Sequence, residues 1–114
     1  MLVNNSRTEI FPKVNFNTTR HPRSGIAISK KGIILLVTVD GRHQGKAEGM
    51  SIDEFAYFFK ILGAEQASNL DGGGSTTMFV KNKGHDGVVN YPSDNSRFDH
   101  EGERRVANVL YIRK

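Results

Sequence analysis

The chain has 114 residues, no cysteine, and 16 basic against 12 acidic side chains, for a net charge of +4. That length suits one domain with a modest core, and the apolar share of 37% argues against disorder. The composition provides no disulfide framework or thiol chemistry, no apolar run near the ~20 residues of a membrane span, and no basic-then-apolar signal sequence at Met1-Leu2-Val3.

Residues 1–19 are polar, rich in Asn and Thr, and show no clear period; they read as a polar N-terminal segment ahead of the domain proper, 20–114. Ser24 to Ser29 alternates as a strand. Lys30-Lys31-Gly32 is a turn, and Ile33 to Val39 is a second strand, so the two form a hairpin. The near-continuous apolarity of Ile33 to Val39 predicts a strand covered on both faces, hence central in its sheet. It ends at Asp40-Gly41-Arg42, where an acid and a guanidinium emerge from a rigid strand. That stretch reads as well as an Asx turn as it does as a site. Gly41 to Lys46 is one residue short of a phosphate-binding P-loop and has Ala47 where Ser or Thr should hold the metal, so that motif is rejected.

Ser51-Ile52-Asp53-Glu54 is a capping box, with Met50 and Phe55 spaced as a hydrophobic staple. Ile52, Phe55, Ala56, Phe59 and Leu62 recur at helical spacing, and Gly63 stops the helix. Phe55, Phe58 and Phe59 are therefore core. The chain returns as a short strand at Ala67 to Leu70 and leaves the next loop as another at Ser75 to Val80. A short strand at Val88 to Asn90, a polar loop from Tyr91 to Glu103 and a closing strand at Val106 to Ile112 complete the pattern. The sum is an α+β domain: a mixed or antiparallel β-sheet packed against one main amphipathic helix at about 52–62.

The chemistry concentrates at Asn69-Leu70-Asp71-Gly72-Gly73-Gly74-Ser75-Thr76. Glycine tolerates positive φ and lets other groups approach the backbone closely. Three in a row beside a carboxylate suit a ligand with hydroxyls and an anionic group, Asp71 accepting from the first and main-chain amides meeting the second. The four histidines, His21, His43, His85 and His100, have no zinc-type spacing. Ser75 lacks a nucleophile elbow. Asp40, Asp71 and Asp94 are hard oxygen donors of the kind that hold Ca²⁺ or Mg²⁺, the one cofactor class left open. The basic residues are scattered without interleaved aromatics, so no nucleic-acid partner is expected.

Taken in order, Arg23-Ser24-Gly25-Ile26, Val39-Asp40-Gly41, Gly49-Met50-Ser51, Asn69 to Ser75, Pro92-Ser93-Asp94 and Arg104 to Leu110 resemble the motif series of the phosphodiester glycosidase family. The resemblance covers residues 20–112. It implies hydrolysis of the glycosidic bond of a sugar 1-phosphodiester, of the N-acetylglucosamine kind, with binding of a sugar phosphate or glycan without turnover as the alternative. It also implies that Asp40, the loop from Asp71 to Thr76 and Arg104 line a pocket, with Arg23 and Asp94 close by. On the residues' chemistry, Asp71 is expected as the principal carboxylate and Asp40 as its partner. Gly72, Gly73, Gly74, Ser75 and Thr76 are the expected donors, and Arg23, Arg42 and Arg104 the expected phosphate contacts. The family pattern carries strands before Arg20, so this chain is expected to correspond to its C-terminal portion, leaving an apolar sheet edge that invites self-association.

Overall fold

One helix covers one face of an antiparallel sheet, and two periodicities explain why. A computed structural model describes residues 1–113. The strands are β1 (Val3–Asn4), β2 (Arg7–Thr8), β3 (Arg23–Ser29), β4 (Ile34–Val39) and β5 (Ala64–Asn69). They lie in the order β2-β1-β5-β3-β4. A one-turn helix α1 spans Asn15–Thr18 and the main helix α2 spans Ile52–Ile61. Every pairing is antiparallel. The expected α+β class, the β3–β4 hairpin and the main helix are all present.

Ser51 caps α2 as its sequence requires: Glu54 N–H donates to Ser51 Oγ at 3.2 Å, and Ser51 N–H donates to Glu54 Oε2 at 2.8 Å. The helix buries Ile52, Phe55, Ala56 and Phe59 against the sheet. Beneath Phe59 lies Gly25 of β3, where an added Cβ would come within 2.9 Å of the ring. Leu35, Val37 and Val39 of β4 point to the same face, because alternate strand residues share a side.

Glu54 also takes the Arg20 guanidinium, whose Nη2 donates to Oε1 at 2.6 Å. Hydrogen bonds from Arg20 and from the Ser51 backbone hold the Glu54 carboxyl below the usual carboxylate range. An acid depressed by folding stabilises the fold above its unfolded titration, and that contribution disappears as pH falls through the folded value. Glu54→Gln is therefore expected to unfold at a lower temperature near neutrality. The gap to the unmodified chain should close in acid, as read by thermal melts across pH.

Four expectations are corrected by the structure. Residues 1–8 are not a mere polar lead: β1 and β2 form a hairpin on the sheet, Leu2 and Val3 are in the core, and Leu2 N–H donates to Ala67 O at 2.7 Å. The strand at 34–39 is at the edge of the sheet, not its centre, with Ile34 54% exposed, because no described segment pairs beyond it. Its apolar residues alternate between the helix side and a side that no helix covers. After the glycine loop, the stretches read as strands at 75–80 and 88–90 meet only through isolated bridging, Val88 pairing with Phe79 and also with His85. The closing strand at 106–112 is not formed. Val109, Leu110, Tyr111 and Ile112 are 56–73% exposed there.

Candidate functional site

The antiparallel registers bring the ends of β3, β4 and β5 to one place. Gly25 of β3 faces Asn69 of β5, and Arg23 faces Val39 of β4. The chain leaving β5 turns through a single 3-10 turn at Gly73–Ser75. Gly73 N–H donates to Pro22 O at 2.9 Å, tying the loop to the start of β3. Ser75 and Thr76 spend their N–H groups on Gly72 O and Gly73 O. Three of the loop's amides are thus used internally rather than offered outward.

The side chains around this loop explain its glycines. At Gly73, whose φ is +60°, an added Cβ would stand 3.0 Å from Arg42 Nη2. At Gly74 it would meet both Arg104 Nη1 and Asp94 Oδ1, each at 2.9 Å. Arg42, from the loop after β4, and Asp94 and Arg104, from the long irregular segment after Asn90, therefore converge on two consecutive glycines. Asp94 and Arg104 pair at 3.6 Å, with each side chain about half exposed, a pair that adds little to stability. Asp71 is exposed at the loop's start.

Arg42 reaches Gly73 from a backbone φ of +60°, a region a residue with a Cβ occupies at a cost. Its loop is closed by Gly41 and Gly49: a Cβ on Gly41 would collide with Pro22 and with Gly49 Cα, and one on Gly49 with the His21 backbone. Beside it, burial and then the charges of Arg23 and Arg42 hold the His21 imidazole below its usual pKa, favouring the neutral ring.

The other expected residues have partners of their own. Asp40 accepts from Asn90 Nδ2 at 3.0 Å and from the Tyr91 N–H at 3.1 Å. Arg23 is 1% exposed; its Nε donates to Met50 O and its Nη2 to Phe16 O and Thr19 O, at 2.8–3.0 Å. Burial lowers its pKa. Thr76 is buried, with its Oγ1 3.4 Å from Ser24 Oγ. Among the described residues, no three His, Cys, Asp or Glu side chains come together as a metal group. Two surface hollows, lined by residues 4–10 and by residues 79–87, include no residue of the glycine loop.

Asn90 is a site residue that sequence reasoning passed over. Its amide donates to Asp40 and to Thr76 O, while its Oδ1 accepts from the Met78 N–H at 2.8 Å. One buried side chain thus joins the end of β4 to the exit of the glycine loop. Beside it, Tyr91 stacks on Phe98 with centroids 4.1 Å apart and planes 6° apart. His43 meets the edge of Phe98 at 5.2 Å. Among the described residues, the buried polar atoms His43 Nε2, Asn69 Oδ1, Thr77 Oγ1 and Ser93 Oγ lack a protein partner. Each sits in or next to one of the motifs above, and buried polar groups left unpaired concentrate where a structure serves function rather than stability.

This arrangement defines an α+β domain with a glycine loop, two exposed guanidiniums and free carboxylate at the open end of its sheet. The chain belongs to the phosphodiester glycosidase family, whose sequence profile matches residues 1–113. It is 34% identical over 91 residues to the N-acetylglucosamine-1-phosphodiester alpha-N-acetylglucosaminidase of Bos taurus, covering 79% of this chain and 16% of that protein. Among solved structures, it superposes on the auto-inhibited catalytic domain of the zebrafish enzyme with a TM-score of 0.66 and 27% identity, covering 81% of this chain and 33% of that one. A structure from Burkholderia pseudomallei gives a TM-score of 0.61 at 40% identity, over 71% of this chain and 15% of that one. The chain thus spans about a sixth of the length of the bovine relative.

Proposed function

We propose that this chain hydrolyses the glycosidic bond of a sugar 1-phosphodiester, with the N-acetylglucosamine diester as the first candidate. The observation that carries this reading is the convergence of Arg42 and Arg104 on Gly73 and Gly74 beside the exposed carboxylate of Asp71. Breaking the bond from C1 to the phosphate oxygen leaves a phosphate monoester with an added negative charge. Guanidiniums match that group through paired N–H donors. The sugar carbon develops oxocarbenium character, which a carboxylate stabilises, and water supplies the oxygen that completes the hydrolysis. A phosphate leaving group needs little protonation, so one well-placed carboxylate does more here than a strong acid.

In this reading Asp71 is the principal carboxylate, with Ser75 and the amides of Gly72 and Gly74 toward the substrate, while Thr76, buried against Ser24 and bound to Asn90, holds the loop in place. Asp94 positions Arg104. Asp40 acts through Asn90 and Tyr91, and Arg23 as a positioning residue that fixes the 41–50 loop to β3, since both are already engaged by protein groups.

The test is release of sugar from an N-acetylglucosamine 1-phosphodiester by the purified chain, with Asp71→Asn alongside and with chelator added to ask whether a divalent cation assists. Turnover by the native chain, reduced at least 10²-fold in Asp71→Asn, supports the reading. Turnover undiminished in a folded Asp71→Asn removes Asp71 from it. Binding of the diester without any turnover assigns the chain to the second reading, a sugar-phosphate binder.

A further inference from the structure

We propose that the open edge of β4 is a self-association surface, covered by residues 106–112 of a second copy of this chain in a reciprocal exchange of strands.

Among the described residues, β4 ends the sheet with no strand beyond it. Its outer backbone groups are therefore a template for another strand, the arrangement that natural proteins cover, bulge or charge to prevent uncontrolled pairing. None of those devices is present along Ile34–Val39: the strand is six residues long, without a charge or proline. The face turned away from α2 adds to the exposure. Ile28 pairs with Ile34 and Ile26 with Leu36 on that side, and Ile28 and Ile34 are 40% and 54% exposed.

The same chain carries a spare strand of fitting length. Val106-Ala107-Asn108-Val109-Leu110-Tyr111-Ile112 carries the strand formers Val106, Val109, Tyr111 and Ile112, interrupted by Ala107-Asn108. Val106, Val109, Leu110, Tyr111 and Ile112 are 42–73% exposed. An unpaired apolar edge and an unpaired apolar strand on one molecule are complementary between two molecules. Two copies related by a twofold axis satisfy both at once, each giving its tail and receiving its partner's, so the contact closes instead of propagating. Main-chain hydrogen bonds along β4 supply the register, and alternate tail residues reach the face holding Ile28 and Ile34. This surface lies on the strand's flank, whereas the guanidiniums and Asp71 lie at its end. It is independent of the catalytic reading.

Sedimentation velocity and light scattering of the full chain across a hundredfold range of concentration test the exchange. Two variants accompany it: Ile34→Lys at an exposed position of the edge, and Val109→Asp/Leu110→Asp in the tail, each checked for folding by circular dichroism. A dimer of the native chain that is lost in the folded tail variant supports the exchange, and its loss in Ile34→Lys as well places it on β4. A native chain that stays monomeric at every concentration overturns the proposal. So does a dimer indifferent to the tail variant. A monomer whose 106–112 amides resist hydrogen exchange also overturns it, since the tail would then be docked on its own sheet.

Discussion

Replacing Phe59 with alanine is expected to lower the free energy of unfolding by about 3–5 kcal/mol, the usual cost of emptying a buried aromatic site. Domains of this size have only about 5–15 kcal/mol to lose, so the variant should sit near the edge of folding. Phe59 is fully buried, packs against Phe55 with centroids 4.7 Å apart, and lies over Gly25 of β3. The neighbouring side of the cavity is glycine, which has no side chain to move inward, so collapse around the missing ring would be poor. Urea titration followed by circular dichroism measures the loss. Tyr57→Ala, two residues away and 60% exposed, should stay within about 0.5 kcal/mol of the native chain. Equal effects at the two positions would mean that α2 does not cover the sheet as described. Because β3 also carries Arg23 and Ser24 at the glycine loop, any loss of activity in Phe59→Ala should track the unfolded fraction.

The legible parts of this molecule were those whose partners are near in sequence. The α2 helix was fixed by Ser51 and Glu54, three residues apart, and by aromatic side chains at helical spacing. The β3–β4 hairpin followed from two apolar runs around Lys30-Lys31-Gly32. The N-terminal hairpin was hidden because its strands are two residues long and its turn, Asn5-Ser6 at φ of 49° and 64°, lacks the glycine that usually marks such turns. The position of β4 was misread because an apolar run can mean two covered faces or one covered face and an open one. Composition does not separate these; neighbours do. Of the site, the glycine loop was plain, but Arg23 was not. Its three carbonyl acceptors lie 4, 7 and 27 residues away, and nothing at the sequence level distinguishes a buried arginine bound to backbone from one facing a phosphate. Asn90 escaped for the same reason, since it joins positions 12 to 50 residues distant.

Arg42→Gly is expected to weaken substrate capture while leaving the fold as stable as before, or more so. Arg42 holds a φ of +60°, which costs a residue with a Cβ roughly 1–2 kcal/mol and costs glycine almost nothing. Its guanidinium reaches Gly73 and, among the described residues, donates to no protein acceptor. Removing it thus relieves backbone strain and takes away a cation that the phosphate would otherwise meet. A hydrogen bond to a charged group is worth about 1.5–3 kcal/mol, so kcat/KM for a sugar 1-phosphodiester should fall about 10- to 150-fold. Arg42→Lys separates the two effects: it keeps the charge and the strain but loses the planar fork, so its activity should fall between the native chain and Arg42→Gly with no gain in stability. Thermal melts and initial rates on the three proteins decide the matter. If Arg42→Gly melts lower than the native chain, the arginine holds the loop together rather than serving the site. If it melts as high and turns over unchanged substrate at the native rate, the phosphate contact belongs to Arg104 alone. A strained residue that can be replaced with a gain in stability and a loss in rate is one retained for what it touches, and the strain at Arg42 is then part of how the loop aims its charge.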